Sequence, residues 1–194
     1  KVLDWQTDNG LENLGEFVEI DKYSKVILIT DENLEPLYFD QVQKAIPELK
    51  KIVVKAGEKN KNIETVSDIW KKLLELKADR KSLIVNLGGG VVGDMGGFAA
   101  STYVRGVDFL QVPTTLLAQV DASVGGKVGI NFKGVKNLIG VFNQPIGVVC
   151  DISVLKTLKE REFAEGFGEI IKHGVILEKE YFRFVTSKKP REFS

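Results

Sequence analysis

The sequence predicts an α/β fold, a parallel sheet with helices on both faces, followed by the beginning of an all-α domain. Three observations carry this prediction. Short continuous apolar runs alternate with segments of helical periodicity as far as Cys150. Glycines cluster where the third of those runs ends, as at a strand-to-helix turn that approaches a ligand closely. After Asp151 the strand-like runs stop and helical patterns take over.

The elements follow in order. Lys25-Val-Ile-Leu-Ile-Thr30 reads as a short strand buried on both faces. Leu37 to Ile46 reads as a short helix closed by Pro47, and Lys51-Ile-Val-Val54 as a second strand. Ile63, Val66, Ile69, Trp70, Leu73, Leu74 and Leu76 recur at helical spacing and predict an amphipathic helix. Ser82 to Leu87 is the third strand and runs straight into Gly88-Gly-Gly90. Phe109 to Val112 is a fourth, stopped by Pro113, and Ile146 to Cys150 a fifth. Arg161 to Leu177 reads as one long helix, and Glu180 to Val185 begins another. The expected boundary separates an α/β domain, residues 1–151, from the start of a helical domain, residues 152–194.

Composition excludes several classes. Of 194 residues, 43% are hydrophobic and 28% charged, ordinary for a globular chain and unlike a disordered one. Lys+Arg and Asp+Glu are 27 each, a balance that argues against a dedicated nucleic-acid or anionic-membrane binder and leaves room for a local basic pocket. A lone cysteine, Cys150, cannot form an intramolecular disulfide and suits a reducing, cytoplasmic setting. Its position at a strand end predicts a small core residue. The first 20 residues lack the positive start and apolar run of a signal peptide, carrying acids at Asp4, Asp8, Glu12, Glu16 and Glu19. No apolar run approaches the roughly 20 residues a membrane span needs.

Twelve of the 19 glycines lie between Gly88 and Gly140. From Gly88 to Ile130 the only charged residues are Asp94, Arg105, Asp108, Asp121 and Lys127, so each is expected to have an assigned partner. Gly88, Gly90 and Gly93 fit G-x-G-x-x-G between a strand and a helix, a pattern that lets backbone N–H groups approach a pyrophosphate. A tight turn with no ligand fits the same letters. Asp108 stands at the usual count for a ribose-binding acid but at the wrong end of its strand; Asp31, with Asn33 after the first strand, is better placed. A helix cap at Asp31 is the alternative. Asp121-Ala-Ser-Val-Gly-Gly-Lys127 and then Lys136-Asn137 suggest a phosphate or carboxylate pocket with a titratable acid, or else a solvated loop. Glu165, Glu169, Lys172 and His173 share one helical face. A Glu–His pair at i, i+4 can ligate a metal, but His173 is the only histidine of the chain, and a catalytic zinc usually takes three protein ligands.

Taken together these motifs resemble the 3-dehydroquinate synthase family of sugar-phosphate cyclases. The resemblance runs from about Val26 to Leu177. It rests on Gly88-Gly-Gly-Val-Val-Gly-Asp94, Tyr103-Val-Arg-Gly106, Pro113-Thr-Thr-Leu-Leu-Ala118, Asp121 to Lys127, Lys136-Asn-Leu-Ile-Gly140, and Arg161-Glu-Phe163 leading to Glu169-Ile-Ile-Lys172. It implies a Rossmann-like first domain, NAD and zinc (or cobalt) as cofactors, a cytoplasmic homodimer, and a place in the shikimate pathway of aromatic amino-acid synthesis. The implied reaction converts 3-deoxy-D-arabino-heptulosonate 7-phosphate to 3-dehydroquinate and phosphate. It proceeds by transient oxidation with NAD, phosphate elimination, re-reduction and aldol closure, and is formally that of a carbon–oxygen lyase.

By the same resemblance Asp31, Asn33, Glu58, Lys61, Gly89, Gly90, Asp94, Thr114, Thr115, Asp121, Lys136, Thr157, Leu158 and Glu162 are expected around the cofactor. Lys127, Asn137, Lys172 and Asp121 are expected at the reacting substrate. Arg105 is expected to reach the substrate of the neighbouring subunit, and Glu169 to ligate the metal. The sequence departs from the family pattern at Val135, where glycine commonly precedes the lysine, and at Val128, where threonine is common. His173 matches neither of the family's two zinc histidines, so roughly 100–150 further residues, one more domain, are expected beyond Ser194. The chain alone is therefore expected to bind NAD weakly, not to turn over, and to expose an apolar face near Phe163 and Phe167. A sister cyclase using another sugar phosphate is the nearest competing reading. A metal-dependent polyol or glycerol-phosphate dehydrogenase ranks lower, because it need not keep the Asp121–Lys127 and Lys136-Asn137 segments together. A non-catalytic NAD-binding remnant is the reading from another class.

Overall fold

The computed structural model describes residues 3–7 and 9–189. Residues 190–194 of the expected second domain lie outside the described residues.

Six strands form one parallel sheet: β1 (Leu3–Thr7), β2 (Lys25–Asp31), β3 (Lys50–Val54), β4 (Ser82–Gly88), β5 (Asp108–Pro113) and β8 (Gly147–Asp151), in the order β1-β8-β5-β4-β2-β3. The central strand β4 is buried along its whole length, which is why it reads as an unbroken apolar run. Five of these strands coincide with the runs identified in the sequence. β1 was not anticipated, because Leu-Asp-Trp-Gln-Thr is too short and mixed to declare a strand. It is specified by pairing with β8, Leu3 opposite Gly147 through Thr7 opposite Asp151.

Two apolar cores clothe the sheet. On one face α2 (Glu35–Ala45) sets Tyr38 and Val42 against Val26, Leu28, Leu83 and Val85, joined by Leu11 and by Leu14 of the short helix α1 (Leu14–Phe17). On the other, α3 (Ile63–Glu75) and α4 (Gly90–Thr102) set Val66, Ile69, Leu73, Met95 and Ala99 against Ile27, Ile29 and Ile84. Asn62 caps α3, its Oδ1 accepting from Thr65 N at 2.9 Å. The chain moves from β2 outward to β3 over one face and from β4 back towards β8 over the other. The order of strands thus reverses between β2 and β4, and an open parallel sheet has its crevice at such a reversal, beyond the carboxyl ends of the strands.

The segment after β5 differs from expectation. A helix starts after Pro113 but passes into a π-helical turn at Ala118–Ala122, a distortion common at functional sites. The stretch from Lys127, read as a pocket or a solvated loop, forms an antiparallel hairpin of β6 (Lys127–Phe132) and β7 (Val135–Phe142). β6 buries Val128 and Ile130 against α4, while every residue of β7 is exposed, Phe142 by 83%. Val128, one of the departures from the family pattern, fits its place: a Cβ at Gly97 would come within 2.4 Å of Val128 Cγ1. Cys150 proves half-buried, because β8 is covered there less completely than a core position.

α5 (Glu160–Leu177) and α6 (Lys179–Val185) follow a 3₁₀ segment at Ile152–Thr157. Phe163 and Phe167 are buried, not exposed as expected, because they pack with Leu116, Leu155 and Val185 in a third core. Gly166 allows this: a Cβ there would lie 2.5 Å from the backbone nitrogen of Leu117. The exposed large hydrophobic residues of these helices include Val175, Ile176, Leu177 and Phe184.

Candidate active site

The site builds up around the reversal between β2 and β4. At the end of β2, Asp31 Oδ1 accepts from the backbone of Asn33 at 2.9 Å and of Leu34 at 3.2 Å, so its carboxylate caps the turn into α2. At the end of β4, Gly89 lies where a Cβ would meet Thr115 Cγ2 at 3.0 Å, and Gly90 where one would meet Ala122 at 3.4 Å. α4 begins here with no side-chain cap and no acidic residue in its first turn. Its leading N–H groups and the positive end of its dipole are thereby left for a negatively charged group, as a dinucleotide pyrophosphate requires. Thr114 is buried and donates its backbone N–H to Gly88 O at 3.0 Å; Thr115 Oγ1 accepts from Ala118 N at 3.1 Å and starts the helical turn that carries Asp121.

A polar network joins this crevice to the hairpin. Lys61, only 4% exposed, is ion-paired with Asp94 on the first turns of α4 and donates to Asn137 Oδ1 at 2.6 Å. Burial pushes the Asp94 carboxyl above its ordinary value; the hydrogen bond and charge of Lys61 oppose that shift, and nearby Glu58 adds to it. Glu58 accepts from Asn131 Nδ2 at 2.9 Å, and Asn131 Oδ1 accepts from Asn137 N at 2.9 Å. Asn131 is a link that sequence reasoning did not single out.

Beside the network opens a cleft of about 450 Å³, lined among others by Asp94, Asp121, Lys127 and Asn137. On α5, Glu169 and Lys172 form an ion pair. That hydrogen bond raises the Lys172 ammonium's proton affinity, and the charge of Asp121 raises it further, so the π-helical turn and α5 act on a shared patch. Glu169 thus presents one carboxylate beside Lys172 on α5. Among the described residues no three His, Cys, Asp or Glu side chains gather to hold a metal.

The remaining expected residues are placed as follows. Lys136 is exposed on β7 next to Asn137. Thr157 bonds the hydroxyl of Tyr38 on α2 and Val154 O at 3.0 Å; Leu158 is half-buried in the third core, and Glu162 is exposed on the first turn of α5. Arg105 is not brought to the crevice. It follows α4, at the amino ends of the strands, in a loop where Val104, Arg105 and Gly106 have φ of 44°, 72° and 114°.

Fold and site together define a Rossmann-like α/β domain with a polar crevice at the reversal of its sheet. The family model described as 3-dehydroquinate synthase N-terminal matches residues 51–165, more than half of the chain. The chain belongs to the 3-dehydroquinate synthase family. It is 51% identical over 165 residues to the 3-dehydroquinate synthase of Acetivibrio thermocellus, covering 83% of this chain and 46% of the relative. It is 48% identical over 174 residues to that of Ruminiclostridium cellulolyticum, covering 88% and 48%. The chain thus spans about half the length of the curated relatives it matches. Among solved structures it is similar to 2-epi-5-epi-valiolone synthase from Streptomyces hygroscopicus with NAD+ and Zn2+ bound. That match has a TM-score of 0.83 and 27% identity, covering 93% of this chain and 51% of the other.

Proposed function

We propose that this chain forms the nucleotide-binding half of a 3-dehydroquinate synthase, a carbon–oxygen lyase acting on 3-deoxy-D-arabino-heptulosonate 7-phosphate in the cytoplasm. The observation that carries the reading is one convergence: the uncapped glycine start of α4, the Lys61–Asp94–Asn137 network and the cleft with Asp121 and Lys127 share one edge of the sheet. NAD bound at the crevice supplies a reversible hydride acceptor, and a divalent metal held in part by Glu169 supplies a Lewis acid. The chain's own residues then bind and orient. Gly89, Gly90, Thr114 and Thr115 shape the pyrophosphate seat, while Asp31, Asn33, Glu58, Lys61 and Lys136 surround the rest of the nucleotide. Thr157, Leu158 and Glu162 close the cofactor side from the start of α5. Lys127, Lys172 and Asn137 hold the substrate's anionic and hydroxyl groups, and Asp121 takes or returns a proton there. Arg105, remote from its own cleft, serves the site of a second subunit in a homodimer.

The test is NAD-dependent phosphate release by the full-length protein from 3-deoxy-D-arabino-heptulosonate 7-phosphate. Release that needs NAD and is abolished by chelation supports the assignment. Its absence with this substrate, together with release from another sugar phosphate, would favour a sister cyclase, a reading supported by the likeness to 2-epi-5-epi-valiolone synthase. NAD binding with no release from any sugar phosphate would leave a nucleotide-binding module. The 194-residue chain alone is expected to bind NAD weakly and not to turn over; turnover by it would contradict the proposed need for further metal ligands.

A further inference from the structure

The hairpin carries a feature to which nothing in the family assignment gives a role. The pairing of β6 with β7 shifts register between Ile130 and Phe132, so Asn131 sits at a β-bulge. Bulges re-aim a side chain out of the regular alternation and concentrate near active sites. Three of the four hydrogen-bonding groups of Asn131 bond to residues of the site. Its backbone N–H donates to Lys61 O at 2.9 Å, its Oδ1 accepts from Asn137 N at 2.9 Å, and its Nδ2 donates to Glu58 Oε1 at 2.9 Å. The orientation of the amide is fixed by chemistry: a backbone N–H can only donate, so oxygen must face Asn137 and nitrogen Glu58.

Each group that Asn131 holds needs holding. Asn137 has φ of 52°, in the left-handed region that asparagine tolerates but does not favour over extended backbone. Glu58 lies on a 3₁₀ turn entered through Gly57 at φ 98°, a loop with little apolar anchorage. Apart from Asn131, the hydrogen bond found between loop 57–61 and Asn137 among the described residues is the one from the Lys61 side chain.

We propose that Asn131 is a positioning residue that locks the nucleotide-side loop 57–61 and the substrate-side Asn137 into one rigid unit. The proposal rests on the assignment of Glu58 and Lys61 to the nucleotide and Asn137 to the substrate made above. It makes a directional prediction, because the two side-chain bonds can be broken separately. Asn131→Asp is isosteric, keeps the acceptor for Asn137 N–H, and sets a carboxylate against Glu58. Asn131→Ala removes both bonds.

The experiment measures, in the full-length protein, the NAD dissociation constant by calorimetry and kcat and KM for the sugar-acid phosphate. Asn131→Ala is expected to weaken NAD binding and raise KM by about tenfold each, the scale of a lost hydrogen bond to a charged or strained group. Asn131→Asp is expected to weaken NAD binding by about tenfold while KM stays within about twofold. In Glu58→Gln/Asn131→Asp, donor and acceptor are exchanged, and NAD binding is expected to exceed what the two single losses multiplied together predict. A general loosening of the hairpin would not give that split or that rescue. Asn131→Ala with wild-type binding and KM, or Asn131→Asp indistinguishable from Asn131→Ala in both, overturns the proposal while the functional reading stands. A wild-type protein that binds no NAD overturns the functional reading, and this inference with it.

Discussion

Lys61 buries a cation whose hydrogen-bonding groups go to Asp94 and Asn137. Replacing it with methionine keeps the bulk and leaves a largely buried carboxylate without its partner. Lys61→Met is expected to destabilise the fold by about 2–3 kcal/mol, the low side of a broken buried pair because Asp94 keeps some exposure. Urea unfolding checks this; a change below about 0.5 kcal/mol, the scale of an ordinary surface substitution, would show the pair to be energetically idle. Asp94 also sets a pH dependence. Its folded carboxyl titrates above the ordinary 3.8, so from that value upward the folded state binds more protons than the unfolded one. Stability from this group therefore falls as pH rises through the interval, then levels off. Subtracting the stability–pH curve of Asp94→Asn from that of wild type should leave this descending step, and parallel curves would disprove it. The sequence showed that Asp94 and Lys61 were each candidates for a site. It could not show that they pair, since 33 residues separate them and only the folded sheet brings the loops together. Asn131 carried no signal at all, being an ordinary residue in an ordinary strand until a bulge turns it.

Elements were legible in proportion to how completely they are buried. β2, β4 and β5 announce themselves because both faces are covered, and α3 because one face is. β7 gives no pattern, since none of its residues is buried, and β1 gives too few letters. The hairpin's seat on α4 depends on Gly97. An alanine there must displace Val128, so Gly97→Ala is expected to cost about 1–3 kcal/mol. Val128→Ala in the same chain removes the obstructing methyl, and the double variant should be more stable than the two single losses added together. Thermal unfolding of the four proteins decides it, and strict additivity would mean that Gly97 and Val128 do not meet.

At the scale of the molecule, the position of Arg105 beyond the amino ends of the strands makes a prediction about assembly. In the full-length homodimer proposed above, subunits carrying Arg105→Ala and subunits carrying Lys127→Met are each expected to form inactive dimers. Mixed after reversible dissociation, half the dimers would contain one of each, and each such dimer would hold one complete site. Phosphate release should then recover to about a quarter of wild type. No recovery on mixing would mean that Arg105 does not act across a subunit boundary.

The pairing of β1 with β8 has a consequence for how the chain is made. A ribosome adds about 5–20 residues per second, so β1 emerges on the order of ten seconds before the strand it must join. β2, β3 and β4 have neighbours within reach long before that and can assemble while synthesis continues. The flank of the sheet made by β1 and β8 must therefore be the last part of the sheet to close, and until then the apolar surface of Leu110 waits for cover.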